Sequence, residues 1–157
     1  MFVNVAGYSN LLCYGDTSGN IDITANGGVP PYSYAWNTGA TTEDLSGLLS
    51  GTYTATVTDN NGCTATISQT LAEPVVLSSS VVGTNVLCYG TATGSADLTV
   101  TGGTQPYVFQ WSTFEATEDI SGLSGGLYYV VITDNNGCQT RDSVLINEPA
   151  IRFSAYT

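Results

Sequence analysis

The sequence predicts an all-β protein: two tandem β-sandwich repeats of 75 residues arranged end to end. Three observations carry that prediction. The hexapeptide Thr58-Asp59-Asn60-Asn61-Gly62-Cys63 returns unchanged at Thr133 through Cys138, and Cys13 and Cys88 keep the same offset (138 − 63 = 88 − 13 = 75). A fixed period of this kind marks a repeated folding unit. Thr, Val, Tyr and Ile are abundant beside 18 glycines, and no long stretch has helical periodicity, so short strands joined by turns are expected. The hexapeptide ends an alternating apolar run on Asn-Gly, a hairpin signal that calls for positive φ at the turn.

The period sets the organisation. Repeat one covers 1–75, repeat two covers 76–150, and 151–157 are the start of a third repeat or a tail, because Met1 aligns with Val76 and with Ile151. The chain is therefore expected to be a segment of a longer array. Glu73-Pro74 and Glu148-Pro149 close the copies; proline donates no hydrogen bond and restricts its predecessor, so each is expected to end a strand and stiffen the joint.

Within a copy the strands follow in order. Val76 to Val82 and Asn85 to Tyr89 read as one first strand broken at Gly83. Ile21 to Ala25 and Ala96 to Val100 alternate with period two. Gly27-Gly28 with Pro30-Pro31, and Gly102-Gly103 with Pro106, terminate them. Tyr32, Tyr34 and Trp36, like Tyr107, Phe109 and Trp111, fall on one face of the next strand and are expected to supply most of the core. Thr42 to Leu48 and Thr117 to Leu123 read as a crossing between sheets that includes a helical turn. Gly51 to Val57 enters the hairpin, with Tyr53 and Tyr128 where sandwich domains carry a corner tyrosine. Thr64 to Leu71, or Gln139 to Ile146, is the last strand.

Thirteen carboxylates face two arginines, with no lysine or histidine, for a formal charge of −11. Such a field repels phosphate backbones and anionic membranes, so neither nucleic acid nor membrane insertion is expected. No apolar run approaches the ~20 residues of a membrane span. Without histidine there is no Ser-His-Asp or Cys-His arrangement, and without lysine no Schiff base. No catalytic residue is assigned.

Two cysteines per copy at identical spacing suggest a disulfide framework and an oxidising location. Among three connectivities, a repeat that must fold alone favours Cys13 with Cys63 and Cys88 with Cys138. Sequence does not show whether strand positions bring these pairs within the roughly 4.4 to 6.8 Å Cα separation that a disulfide needs.

Calcium is the ion the composition admits. Asp22, Asp59, Glu73, Asp97, Asp134 and Glu148 are its candidate ligands, because hard cations gather six to eight oxygens. No Asp-x-Asp-x-Asp-Gly loop occurs, and turns favour Asp and Asn for backbone reasons. Capped turns are therefore the expected role, and no cofactor is assigned. Ser143, in Asp142-Ser143-Val144, resembles a short O-glycosylation sequon of exported Bacteroidetes proteins.

The ordered blocks Cys-Tyr-Gly, Pro-Tyr-x-aromatic-x-Trp, Thr-Glu-Asp-aliphatic-Ser-Gly-Leu, Gly-x-Tyr, Thr-Asp-Asn-Asn-Gly-Cys and Glu-Pro occur in both copies. Together they resemble the SprB repeat of Bacteroidetes cell-surface gliding-motility adhesins, and two of them resemble PKD-type immunoglobulin-like sandwiches. The resemblance implies a module of a very long extracellular surface protein, delivered by type IX secretion. Two departures stand out in copy two. Phe114-Glu115 replaces Gly39-Ala40, and Thr91 replaces Asp16.

Three roles are expected on these grounds. The first is a stiff acidic spacer whose partners are neighbouring repeats, each copy spanning ~35 to 40 Å at ~3.3 Å per strand residue plus turns. The second is a surface-polysaccharide module using exposed Tyr14, Tyr89 or Phe114. The third is a segment of an extracellular filament.

Overall fold

Burial at every second residue along the first part of Gly19–Asn26 and Gly94–Thr101 requires a second layer over one face of each strand. The computed structural model describes residues 1–150; the expected beginning of a third repeat lies outside the described residues. The chain divides into two compact units, Met1–Val75 and Val76–Thr157.

The first unit contains β1 (Phe2–Ser9), β2 (Gly19–Asn26), β3 (Ser33–Trp36), β4 (Leu45–Leu48), β5 (Gly51–Thr58) and β6 (Thr64–Leu71). They form two antiparallel sheets in the orders β1-β2-β4 and β3-β5-β6. The chain thus passes to the second sheet at β3, back to the first at β4 and to the second again at β5. Ile21 and Ile23 from β2, Leu45 from β4, Trp36 from β3, and Ala55 and Val57 from β5 meet between the sheets, closed by Leu11 and Leu71. Tyr32 and Tyr34 pack on this cluster, so the aromatic row of the third strand is core.

The second unit repeats the plan with β7 (Ser78–Thr84), β8 (Gly94–Thr101), β9 (Val108–Trp111), β10 (Ile120–Leu123), β11 (Gly126–Thr133) and β12 (Gln139–Ile146). Its sheets run β10-β8-β7 and β12-β11-β9. Trp111 lies in the core with Leu98, Ile120, Val130, Ile132 and Ile146, with Tyr107 and Phe109 packed against it.

Each unit is an immunoglobulin-like sandwich. A tryptophan is buried on the third strand, and a tyrosine on the fifth ties its corner. The Tyr53 hydroxyl donates to the Leu49 carbonyl at 2.9 Å, and that of Tyr128 to Ser124 at 3.0 Å.

Two local expectations are corrected. Gly83 does not break the first strand; it lies inside β7, where a Cβ would stand 2.6 Å from Val144 Cγ2 and 2.7 Å from Ile146 Cδ1. A missing side chain here permits close approach, which local sequence does not distinguish from a break. The crossing at 42–48 holds no helical turn. Its latter half is β4, drawn into the sheet by pairing with β2 and by the Ile23 N–H donating to Asp44 Oδ1 at 3.1 Å. In the hairpin, positive φ falls on Gly62 (83°) and Gly137 (86°), and the asparagines stay at negative φ.

Candidate functional site

Each repeat presents two poles built from different parts of the chain, and repeat two adds a surface groove. The N-terminal pole of repeat one joins the β2–β3 loop to the β5–β6 hairpin through Asp59. Its carboxylate accepts the N–H of Val29 at 3.1 Å, of Asn61 at 2.9 Å and of Cys63 at 2.8 Å, while the Asn60 N–H donates to the Val29 carbonyl at 2.8 Å. Gly28, at φ +75°, lies under this carboxylate, where a Cβ would be 2.6 Å from Asp59 Oδ2. Asp134 repeats the clasp, accepting from Thr104, Asn136 and Cys138, each at 2.9 Å. Both aspartates are buried.

The backbone N–H groups of Val29 and Cys63 hold the Asp59 carboxyl below its ordinary value of 3.8, with Asn61 adding to them against a smaller cost of burial. A folded-state value below the unfolded one contributes stability that is complete above about pH 3.8 and is lost as pH falls through the depressed value. Acid titration of the Trp36 fluorescence is expected to show repeat one staying folded down to this range. In Asp59→Asn that part of the pH dependence should disappear; an unchanged acid profile in the variant would contradict the assignment.

The C-terminal pole of repeat one joins the β1–β2 loop to the end of β6. The Leu11 N–H donates to the Ala72 carbonyl at 3.0 Å, the Ala72 N–H to Asn10 Oδ1 at 2.9 Å, and the Gly15 N–H to Glu73 Oε2 at 2.8 Å. In repeat two, Val86 bonds Asn147 in the same way at 3.1 Å, and the Gly90 N–H donates to Glu148. Asp16 accepts the Cys13 N–H at 2.9 Å. Thr91 in its place donates its hydroxyl to the Cys88 carbonyl at 2.7 Å, so the exchange reverses the polarity of that contact.

These poles overturn the cysteine pairing. Cys13 follows Leu11 at the C-terminal pole and Cys63 follows the hairpin at the N-terminal pole, so the eight residues of β6, ~26 Å at ~3.3 Å each, separate the two ends. A bridge tolerates only ~4.4 to 6.8 Å between Cα atoms. Neither Cys13–Cys63 nor Cys88–Cys138 forms. Cys63 and Cys88 are exposed free thiols, and Cys13 and Cys138 are disulfide-bonded. Hairpin register contained the signal, since Cys63 precedes the last strand and Cys13 meets the far end of that strand.

The calcium candidates are dispersed. Asp22 and Asp97 are exposed on β2 and β8, and Asp59 and Glu73 occupy opposite poles of repeat one, as Asp134 and Glu148 do in repeat two. Among the described residues, no three His, Cys, Asp or Glu side chains gather into a potential metal site. Ser143 is exposed on β12.

The groove in repeat two measures about 330 Å³ and is lined by Gln110, Trp111, Ser112, Phe114, Tyr129 and Val131. Phe114 is 91% exposed and adopts φ 69°, in a turn where repeat one has Gly39 at φ 88°. A phenylalanine in this left-handed conformation carries backbone strain of order 1–3 kcal/mol. Repeat one has Ala35, Thr54 and Thr56 where repeat two has Gln110, Tyr129 and Val131. The groove thus distinguishes the copies, while the poles are common to both. Tyr14 and Tyr89, beside the C-terminal-pole cysteines, are also exposed.

A family comparison finds one match in each half of the chain. The SprB repeat model matches residues 6–41 and 80–115. No curated protein sequence matches the chain significantly. Solved structures with a similar course include one on the basis of Dscam isoform specificity (13% identity, TM-score 0.42, 94% of this chain and 46% of that one). They also include the amphioxus IgVJ-C2 molecule (14%, 0.37, 85% and 97%) and DIP-gamma IG1+IG2 (10%, 0.41, 96% and 99%). The chain spans 46% of the length of the Dscam structure. Among the described residues no helix is long and apolar enough to cross a membrane.

Proposed function

With an SprB repeat in each half of the chain, we propose that it is a non-enzymatic spacer segment of a long, secreted cell-surface adhesin. The poles are the observation that carries this reading. In repeat one, Met1 lies against Gly27 and Gly28 at one pole, and Ala72 leaves beside Leu11 at the other. A sandwich whose termini emerge at opposite ends transmits load along its length and extends an array with every copy. Eleven excess negative charges keep such an array soluble and resist its collapse. The resemblance in motif order extends the proposal to a gliding Bacteroidetes cell and to type IX export.

Single-molecule stretching of the reduced chain tests this reading. Two unfolding events are expected, each releasing roughly 220 Å of contour, from 75 residues at ~3.4 Å less the folded length. Loss of both repeats in one event, or extension without resistance, would refute the spacer role.

A second reading rests on the groove. An exposed, strained phenylalanine beside Tyr129, with Gln110 and Ser112 at the rim, suits stacking on a sugar ring in a surface polysaccharide. A glycan array is expected to give signal with the chain that Phe114→Ala abolishes. No signal from the unaltered chain would remove this role and leave the spacer role intact.

A further inference from the structure

The cysteines divide in a way that cuts across the repeat. The hairpin position is bonded in repeat two as Cys138 and free in repeat one as Cys63; the loop position is bonded in repeat one as Cys13 and free in repeat two as Cys88. Both bonded residues are half-buried and both free ones are exposed. Each type of position thus forms a disulfide in one copy. Each free thiol lies at a pole of its own repeat: Cys63 at the N-terminal pole of repeat one, by which a preceding repeat would connect, and Cys88 at the C-terminal pole of repeat two, by which a following one would.

We propose that Cys63 and Cys88 are the open halves of disulfides to adjoining SprB repeats. Cys63 takes the loop cysteine of the repeat before, and Cys88 takes the hairpin cysteine of the repeat after. This rests on reading the chain as part of a repeat array. Closure within one repeat is barred by the length of β6. Joining like positions would require two N-terminal poles, or two C-terminal poles, to face each other, and head-to-tail connection never presents them so. Loop to hairpin is the pairing that matches the direction of the chain. Its consequence is mechanical, because every joint becomes covalently clamped and pulling on the array loads the disulfides in parallel with the Glu-Pro linkers.

The oxidant is a small-molecule disulfide. The Cys88 thiolate attacks one of its sulfurs, forming a mixed disulfide and expelling one thiol. The Cys63 thiolate of a second chain then attacks the Cys88 sulfur and expels the other. Two protein thiols become one disulfide, and the two electrons reduce the oxidant to two thiols.

Oxidised glutathione added to the purified chain tests the proposal, with Cys63→Ser and Cys88→Ser prepared alongside. The unaltered chain is expected to form a ladder of head-to-tail oligomers that dithiothreitol collapses. An equimolar mixture of the variants should stop at a dimer that peptide mapping shows to be Cys88–Cys63. That species should exceed the two homodimers about tenfold, the factor supplied by ~1.4 kcal/mol of end-to-end complementarity. Both variants should keep the parent circular dichroism, since the altered thiols are exposed. Homodimers as abundant as the mixed dimer, or chains that remain monomeric, would overturn the proposal. Neither result would touch the spacer reading, which is measured on reduced protein.

Discussion

Trp111→Ala is expected to destabilise repeat two by about 4 kcal/mol, the middle of the range for removing a large buried aromatic. Trp111 is 2% exposed at the centre of the second core, and its indole Nε1–H donates to the Thr117 carbonyl at 3.0 Å. Truncation therefore opens a cavity between the sheets and orphans a carbonyl in the segment leading to β10. A domain of this size has roughly 4 to 11 kcal/mol of stability in total, so the variant should lie near the edge of folding. Urea denaturation followed by circular dichroism should change from nearly coincident transitions to a biphasic curve. Repeat two would melt first and repeat one would keep its midpoint. Trp36→Ala should produce the converse. A loss below about 1 kcal/mol would show that the sheets do not depend on this side chain.

Asp134→Ala is expected to cost repeat two about 3 kcal/mol. The carboxylate accepts three backbone N–H groups from two segments, Thr104 in the β8–β9 loop and Asn136 and Cys138 in the hairpin. Hydrogen bonds to a charged group are worth ~1.5–3 kcal/mol each, and a buried donor left unpaired costs ~1–3 kcal/mol; water entering the loosened loop recovers part of the sum. Asp134→Asn should cost about half as much. Its amide oxygen still accepts from the hairpin, but its NH₂ then faces the Thr104 N–H, donor against donor. Amide hydrogen exchange should speed up at Thr104, Asn136 and Cys138 in both variants, and more in the alanine variant. Unchanged protection there would refute the clasp.

Only part of this clasp is legible in the residues themselves. Asp59 at the head of Asn-Asn-Gly is legible as a turn residue from its neighbours. That its second oxygen caps Val29, thirty residues earlier in the chain, depends on the hairpin folding back beside the β2–β3 loop. Gly83 illustrates the same limit: a lone glycine in an apolar run signals a break locally, and only the arrival of β12 makes it a point of close packing. The groove follows from several substitutions between the copies, Phe114 and Tyr129 among them. Phe114 was visible as a departure, whereas Tyr129 became its neighbour only once β9 and β11 paired.

The amino-acid sequence by itself determined the period, the strand alternation, the aromatic core row, the corner tyrosines and the absence of histidine- and lysine-dependent chemistry. All of these are read within one strand, one turn or one comparison of the copies. Tertiary structure alone decided which ends of a repeat the cysteines and carboxylates occupy. Identical spacing in two copies shows that Cys13 and Cys63 are equivalent to Cys88 and Cys138, but distance along the chain carries no information about which pole a residue reaches. In a sandwich each strand reverses the direction of the one before, so two residues fifty positions apart come to lie at opposite ends, and a bond that looked internal is ruled out by the length of one strand.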